Sequence, residues 1–227
     1  MSENESPVPD LEMRVVKTAE LGNDDRERVH RLFDLAYRQA NHAYLEKSFS
    51  RLRTIALAAE EEKLVGFGVA DTIETWLPRL EDPQIVMLAG ICCVDPGYRR
   101  IGLFKRLEIL AGGASGLLEP GKRVLMCGRM AHPVSFRTMR GFPSVIPKAG
   151  VPLSDWHKET GLRVSELYGS TLDPETFVVI GEGKPIGYPN LACEVADQEW
   201  LPFQSVDRDR GDALLGIFWA PDAPEGW

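Results

Sequence analysis

The chain has 227 residues, and its 26 Lys and Arg against 34 Asp and Glu leave a formal charge of −8. That balance suits neither a nucleic-acid backbone nor an anionic membrane, and neither is expected as a partner. Hydrophobic residues at 44% supply a core and exclude global disorder, and the length suits one domain.

Residues 1–11 read as a flexible polar tail. Met1 to Glu5 is acidic with no apolar run behind it, so no signal peptide is expected. Met13 to Val16 reads as a short strand. Asp24 and Glu27 have capping-box spacing ahead of Val29, Leu32, Phe33, Ala36, Tyr37 and Ala40, which recur at helical period. A second helical stretch places Tyr44, Leu45, Phe49 and Leu52 on one side. The period then changes: 54–59 and 64–71 read as a hairpin with a charged turn, and 72–83 as a polar connection. Ile85 to Val94 is apolar throughout, as in a central strand buried on both faces, and is about half the roughly 20 residues of a membrane helix.

A helix is predicted from Ile101 to the stop at Gly112 and Gly113. Leu103, Phe104, Leu107, Leu110 and Ala111 share its inner face, and Lys105, Arg106 and Glu108 point away. Val124 to Met130 reads as another strand. His132 and Pro133 fit an N-cap and first helical position, and Gly141 fits the stop of that short helix. Ser154 to Gly161 reads as a further helix, and 177–180 and 213–219 as strands. The interleaving predicts one mixed α/β sheet with helices on both faces.

Cys92, Cys93, Cys127 and Cys193 show no Cys-x-x-Cys spacing, so a zinc ribbon, a redox pair and a disulfide scaffold are disfavoured. No metal is expected, and a reducing, cytoplasmic setting is the default.

The chemistry is expected in 91–104, where a buried strand passes through a turn with two glycines and two arginines into a helix. The first amides of a helix have no internal partner, and the dipole adds partial positive charge there, so a phosphate is the natural guest. Gly102 lets the backbone approach an anion, and Arg99 and Arg100 offer charge-assisted contacts. The Gly-Lys-Ser/Thr of a P-loop is missing, which excludes nucleotide triphosphate hydrolysis, and glycines are too few for the dinucleotide fingerprint.

The stretch resembles the acyl-CoA motif of the GNAT superfamily of N-acyltransferases, Val-x-Pro-x-x-Arg/Gln-x-x-Gly-x-Gly/Ala. It supplies Val94, Pro96, Arg99 and Gly102, with Phe104 as a departure at the last position. The preceding helices and hairpin, with Leu64 to Phe67 on its second arm, and the following strand, short helix and Gly141-Phe142 pair keep the family's order, over roughly residues 13–142. The resemblance implies a mostly antiparallel sheet and acetyl-CoA, or another acyl-CoA, as acyl donor. Backbone groups of Arg100, Ile101, Gly102, Leu103, Phe104 and Lys105 would wrap the pyrophosphate. Cys92, Cys93 and Val94 would pair with the pantetheine arm where the family parts its central strands, and an amide near Val94 would face the developing oxyanion.

Many relatives place a Tyr on the short helix as acid. Phe136 and Arg137 stand there instead, so Ser135, His132 or Tyr98 is expected to substitute. Asp71 or Glu74, after the hairpin, is the candidate base; Glu74, His132 and Ser135 form the candidate catalytic set. Cys92 and Cys93 read as packing residues on opposite faces, and Tyr37 as core, although the region of His30, Tyr37, His42 and Tyr44 shapes the acceptor pocket in the family. Residues 143–227 are expected on the acceptor side.

The function implied is N-acyl transfer to a small-molecule or peptide amine by a monomer or homodimer, with the acidic surface favouring a cationic or neutral acceptor. The alternative is a non-catalytic CoA-binding or interaction module on the same fold.

Overall fold

The computed structural model describes residues 10–227. In chain order the elements are β1 (Glu12–Lys17), α1 (Asn23–Ala36), β2 (Tyr37–Arg38), α2 (His42–Arg51), β3 (Thr54–Glu60), β4 (Lys63–Thr75), β5 (Gln84–Val94) and α3 (Leu103–Gly113). They continue with β6 (Val124–Met130), α4 (Pro133–Phe136), α5 (Asp155–Leu167), β7 (Leu172–Asp173), β8 (Val178–Val179), β9 (Tyr188–Pro189), α6 (Asp197–Trp200) and β10 (Ala213–Ala220). Of the tail predicted for 1–11, residues 1–9 lie outside the described residues, and Leu11 packs against the α3-side core.

One sheet runs in the order β1-β3-β4-β5-β6-β10-β8-β7. Its described neighbours are antiparallel except β5 and β6, so the expected mixed, mostly antiparallel α/β sheet is observed. Strands buried on both faces explain the unbroken apolar run of β5. On one face α3 sets Leu103, Leu107 and Ala111 against Val65, Met87 and Cys92. On the other, Val29 and Phe33 of α1 and Leu45 of α2 join Val164 of α5 and Tyr168 just beyond it in the larger core. Burying each such side chain stabilises by about 1.5–3 kcal/mol.

Several boundaries differ from the sequence reading. Gly22, not Asp24, precedes α1, and Asp24 and Asp25 sit in its first turn, where they complement the dipole. The helix ends at Ala36 because Tyr37 and Arg38 pair with Pro189 and Tyr188 as a two-stranded ribbon. The strand predicted to end at Asp71 runs to Thr75 as β4. The short helix begins at Pro133 under the His132 cap but ends at Phe136, with turns to Phe142. Capped by Ser154, α5 extends to Leu167, past the expected end at Gly161.

Candidate functional site

The turn after β5 is built by Asp95. Its carboxylate accepts the Gly97 amide at 2.8 Å and pairs with Lys63 at 2.9 Å. Arg100 and Gly102 both take left-handed backbone, at φ 69° and 76°. Gly102 is the N-cap of α3 and contributes no side-chain cap. The first bond into the helix is Arg106 N–H to Gly102 O at 3.2 Å, so the amides of Leu103, Phe104 and Lys105 point out of the helix end. A Cβ at Gly102 would meet nothing within 4 Å, so the approach is open. These residues fit a diphosphate, which needs clustered donors and no side chain in the way.

Beside this junction the sheet opens. The parallel pairing of β5 and β6 runs from Ile85↔Val124 to Ala89↔Gly128 and stops, while both strands continue. At the same level the register of β5 on β4 shifts between Gly68↔Cys92 and Ala70↔Ala89, which puts an extra residue in β5 around Gly90 and Ile91. Such a bulge bends its strand, here away from β6. Gly90 is required there, because a Cβ would lie 2.5 Å from Leu52 Cδ1 and 3.0 Å from Val69 O. Successive amides of a strand face opposite edges, and the Asp95 amide donates to Val65 O on β4 at 2.8 Å. The amides of Val94 and Cys92 therefore face the opened side.

Tyr168 sits at the apex of the parting. Its buried hydroxyl lies 2.8 Å from Ala89 O on β5 and 3.0 Å from Cys127 O on β6, so it bridges the two strands at the last of their paired residues. Burial pushes the phenol well above its ordinary range, so it remains a donor.

A cavity of about 340 Å³ fills the opening. Its walls include Ala89 to Cys92 of β5, Met126 to Met130 of β6, Phe104, Lys105 and Glu108 of α3, and His132 and Ser135. Tyr37, Tyr44, Ile186, Gly187 and Pro189 close it from the side of β2 and β9.

The structure brings some predicted residues together and leaves others out. Cys92, Phe104, Lys105, Ser135 and His132 line the cavity; Cys93, Val94, Arg100, Ile101, Gly102 and Leu103 belong to the adjoining strand end and turn. Arg99 differs from expectation: its guanidinium donates to Asn190 O and tethers the segment after β9 instead of standing free for a phosphate. Burial pushes the Cys92 and Cys93 thiols upward, as suits packing residues. Tyr37 packs on Phe33, with ring centroids 4.9 Å apart, and also forms cavity wall.

Among the proposed acid and base groups, Glu74 is exposed and registered opposite Ile85, four residues before the parting at Ala89. It is outside the cavity lining and is corrected to a solvated charge at the far end of β4. Asp71 is buried and held by Arg53 through contacts of 2.7–2.9 Å. The Tyr98 hydroxyl donates to Glu60 on the hairpin.

His132 accepts the Val134 amide at Nδ1, 3.3 Å away. Burial, aided by the charges of Arg208 and Arg137, pushes its pKa down to about 4. At neutral pH it is an uncharged cap with its proton on Nε2, which disfavours the acid or base role.

Two cavity residues escaped the sequence reading. Glu108, expected to point to solvent, is half-buried in the wall and burial raises its pKa to about 7. It lies four residues after Phe104 on the same helix face, and that spacing was the available signal. Arg129 is the lone charge in β6, half-buried, with its guanidinium 4.4 Å from the centre of the Tyr168 ring.

No family model and no curated protein matches the chain. Among solved structures it is similar to a conserved protein of unknown function from Enterococcus faecalis, at 17% identity and TM-score 0.38, covering 56% of this chain and 31% of that one. It is also similar to an aminoglycoside acetyltransferase from an uncultured soil metagenomic sample, in complex with sisomicin, at 17% identity and TM-score 0.30, covering 43% and 64%. The GNAT family N-acetyltransferase YhbS from Escherichia coli, in complex with CoA, is a third, at 19% identity and TM-score 0.40, covering 62% and 72%. The chain thus spans less than two thirds of the first two. None of the three reaches a TM-score of 0.5, and the reading of the site rests on this chain's own geometry. Its mostly antiparallel sheet, parted parallel pair and glycine-led helix are the features that the resemblance of residues 94–104 to the GNAT motif implies.

Proposed function

We propose that this chain is an N-acyltransferase of the GNAT type that moves an acetyl or related acyl group from acyl-CoA to an amine, with residues 1–227 acting as one domain in a cytoplasmic setting. One observation carries the reading. An uncapped helix end at Gly102 adjoins a strand edge freed by the parting of β5 and β6, and the freed edge opens into a cavity large enough for reacting groups. Diphosphate and extended amide chain are the two chemistries that these features bind, one by clustered amides and one as an added strand. The described residues contain no helix long and apolar enough to cross a membrane.

An acyl-CoA thioester supplies an activated carbonyl. The chain's own groups then divide the work. Amides of Leu103, Phe104 and Lys105 hold the diphosphate, and those of Cys92 and Val94 hold the arm and face the carbonyl oxygen. Glu108 takes the proton from the attacking amine, directly or through water, as the nitrogen–carbon bond forms and the carbon–sulfur bond breaks. The sulfur leaves as a thiolate to which the Ser135 hydroxyl, on the cavity wall, donates a hydrogen bond, and the proton held by Glu108 passes to solvent.

Incubation with acetyl-CoA and a panel of primary amines should release free thiol in an amine-dependent manner. Binding of acetyl-CoA without release would instead support the non-catalytic module, which the missing Tyr on α4 favours.

Glu108 gives that assay a pH signature. Its ionised form is the base, so kcat/KM should rise with pH through about 7. Glu108→Gln should remove that limb and lower kcat by roughly 10²-fold. Stability runs the other way. A carboxyl raised from 4.5 to about 7 stabilises the fold fully below 4.5 and loses that contribution as pH rises through 7. Glu108→Gln should therefore be more stable than the parent by ~1–2 kcal/mol at pH 8 and show no such gain at pH 4.

A further inference from the structure

Arg129 stands where the strand pattern calls for an apolar residue. Leu125 and Cys127, four and two positions earlier on β6, both belong to the core shared with α1, α2 and α5. Arg129 continues that alternation, and its guanidinium lies 4.4 Å from the ring centre of Tyr168 and 5.8 Å from that of Tyr44. Its Nε is buried with no hydrogen-bond partner among the described residues. Glu182, a carboxylate that feels its charge, is bonded to Lys47 instead. Glu108 also lines the cavity but comes from α3, on the opposite face of the sheet.

A guanidinium is always charged and carries five donors in the plane of its fork. Rings stacked on its face leave the in-plane edge free, and an unpaired buried donor is costly. The remaining wall around the guanidinium is largely apolar, with Tyr37, Tyr44 and Ile186. A cation of this shape in such surroundings matches a planar carboxylate attached to an apolar body. The net negative charge of the chain favours cationic acceptors at long range, but the field inside the cavity is set by the nearest fixed charge.

We propose that Arg129 anchors the carboxylate of a substrate in this cavity. The proposal rests on the acyltransfer reading for what that substrate is: an amine acceptor with its own carboxylate, such as an amino acid with a large apolar side chain, or a dicarboxylic acyl group on the donor. Both present the same anion to the same fork.

Binding is tested first, without turnover, by thermal melting of the CoA-saturated protein with 3-phenylpropionate or 3-phenylpropanamide. The acid should raise the melting temperature and the amide should not. Arg129→Met should abolish the acid's effect while keeping the rise due to CoA. Arg129→Lys, which keeps the charge and loses the fork, should retain a reduced effect and serves if the Met variant does not fold.

Rates then separate the two sources. With acetyl-CoA, preference for L-phenylalanine over L-phenylalaninamide assigns the carboxylate to the acceptor. With phenylalaninamide, preference for succinyl-CoA over acetyl-CoA assigns it to the acyl group. Either preference should be about tenfold to a hundredfold in kcat/KM and should vanish in Arg129→Met.

Equal shifts with acid and amide, or a preference that survives Arg129→Met, would overturn the proposal. Transfer without carboxylate preference would leave the acyltransfer reading standing and remove this one. An acid-specific shift in a protein that does not respond to CoA would do the reverse.

Discussion

Replacing Gly102 with glutamate should abolish the response of the protein to acetyl-CoA. At 100 times its dissociation constant a ligand adds about 2.7 kcal/mol, a rise in melting temperature of roughly 5–10 °C for a chain of this length. The new side chain enters open space at the helix end and sets a negative charge among the amides that would receive the diphosphate. Gly102→Ala separates charge from backbone. At φ 76° an alanine strains the turn by ~1 kcal/mol, lowering the melting temperature of the free protein, but adds no charge. It should keep most of the acetyl-CoA response. An unchanged response in the glutamate variant would place the ligand elsewhere.

The largest stability effect is expected at Tyr168. Tyr168→Ala removes a fully buried ring and the hydroxyl that bridges the carbonyls of Ala89 and Cys127, so denaturant unfolding should show a loss of ~3–5 kcal/mol. Tyr168→Phe keeps the ring and removes only the proton, at a cost of ~1–3 kcal/mol. The Phe variant is the sharper test. A hydroxyl that closes the apex of the parted strands must cost something to remove, and a neutral substitution would show that β5 and β6 part without it. Weakened acetyl-CoA binding in Tyr168→Phe is a further expected result, because the wedge sets the strand edge against which the arm would lie.

The legible parts of the molecule were those encoded locally. The spacing from Val94 to Gly102 compresses strand end, turn and helix start into nine consecutive residues, so it can be read without a structure. The apolar run of β5 and the Pro133 start of α4 are equally local. What escaped depends on partners far along the chain. Tyr37 and Ala40 continue the helical spacing of α1, but pairing with Tyr188 and Pro189 draws Tyr37 into a ribbon. Glu74 read as a candidate base because a charge at a strand end near the motif is close in sequence, whereas β4 carries it to the far end of the sheet.

Glu108 read as solvated because a charged residue beside an apolar helix face normally is. Here the parting of β5 from β6 removes the neighbours that would otherwise define that face, and the carboxylate turns into the gap. Arg129 carried a signal that could have been used: a single cation inside seven strand residues is expensive to bury unless something pairs with it. Tyr168 could not be found this way. Its role depends on two carbonyls 79 and 41 residues away.

The gripping of a diphosphate by the amides that open α3, with the pantetheine arm lying along Cys92 to Val94, is tested most directly by a crystal structure of the protein with coenzyme A. The account predicts diphosphate oxygens about 3 Å from the amide nitrogens of Leu103 to Lys105, and arm amides bonded to the free edge of β5. Coenzyme A bound away from this turn, or a β5 edge already bonded to the protein's own backbone, would contradict it.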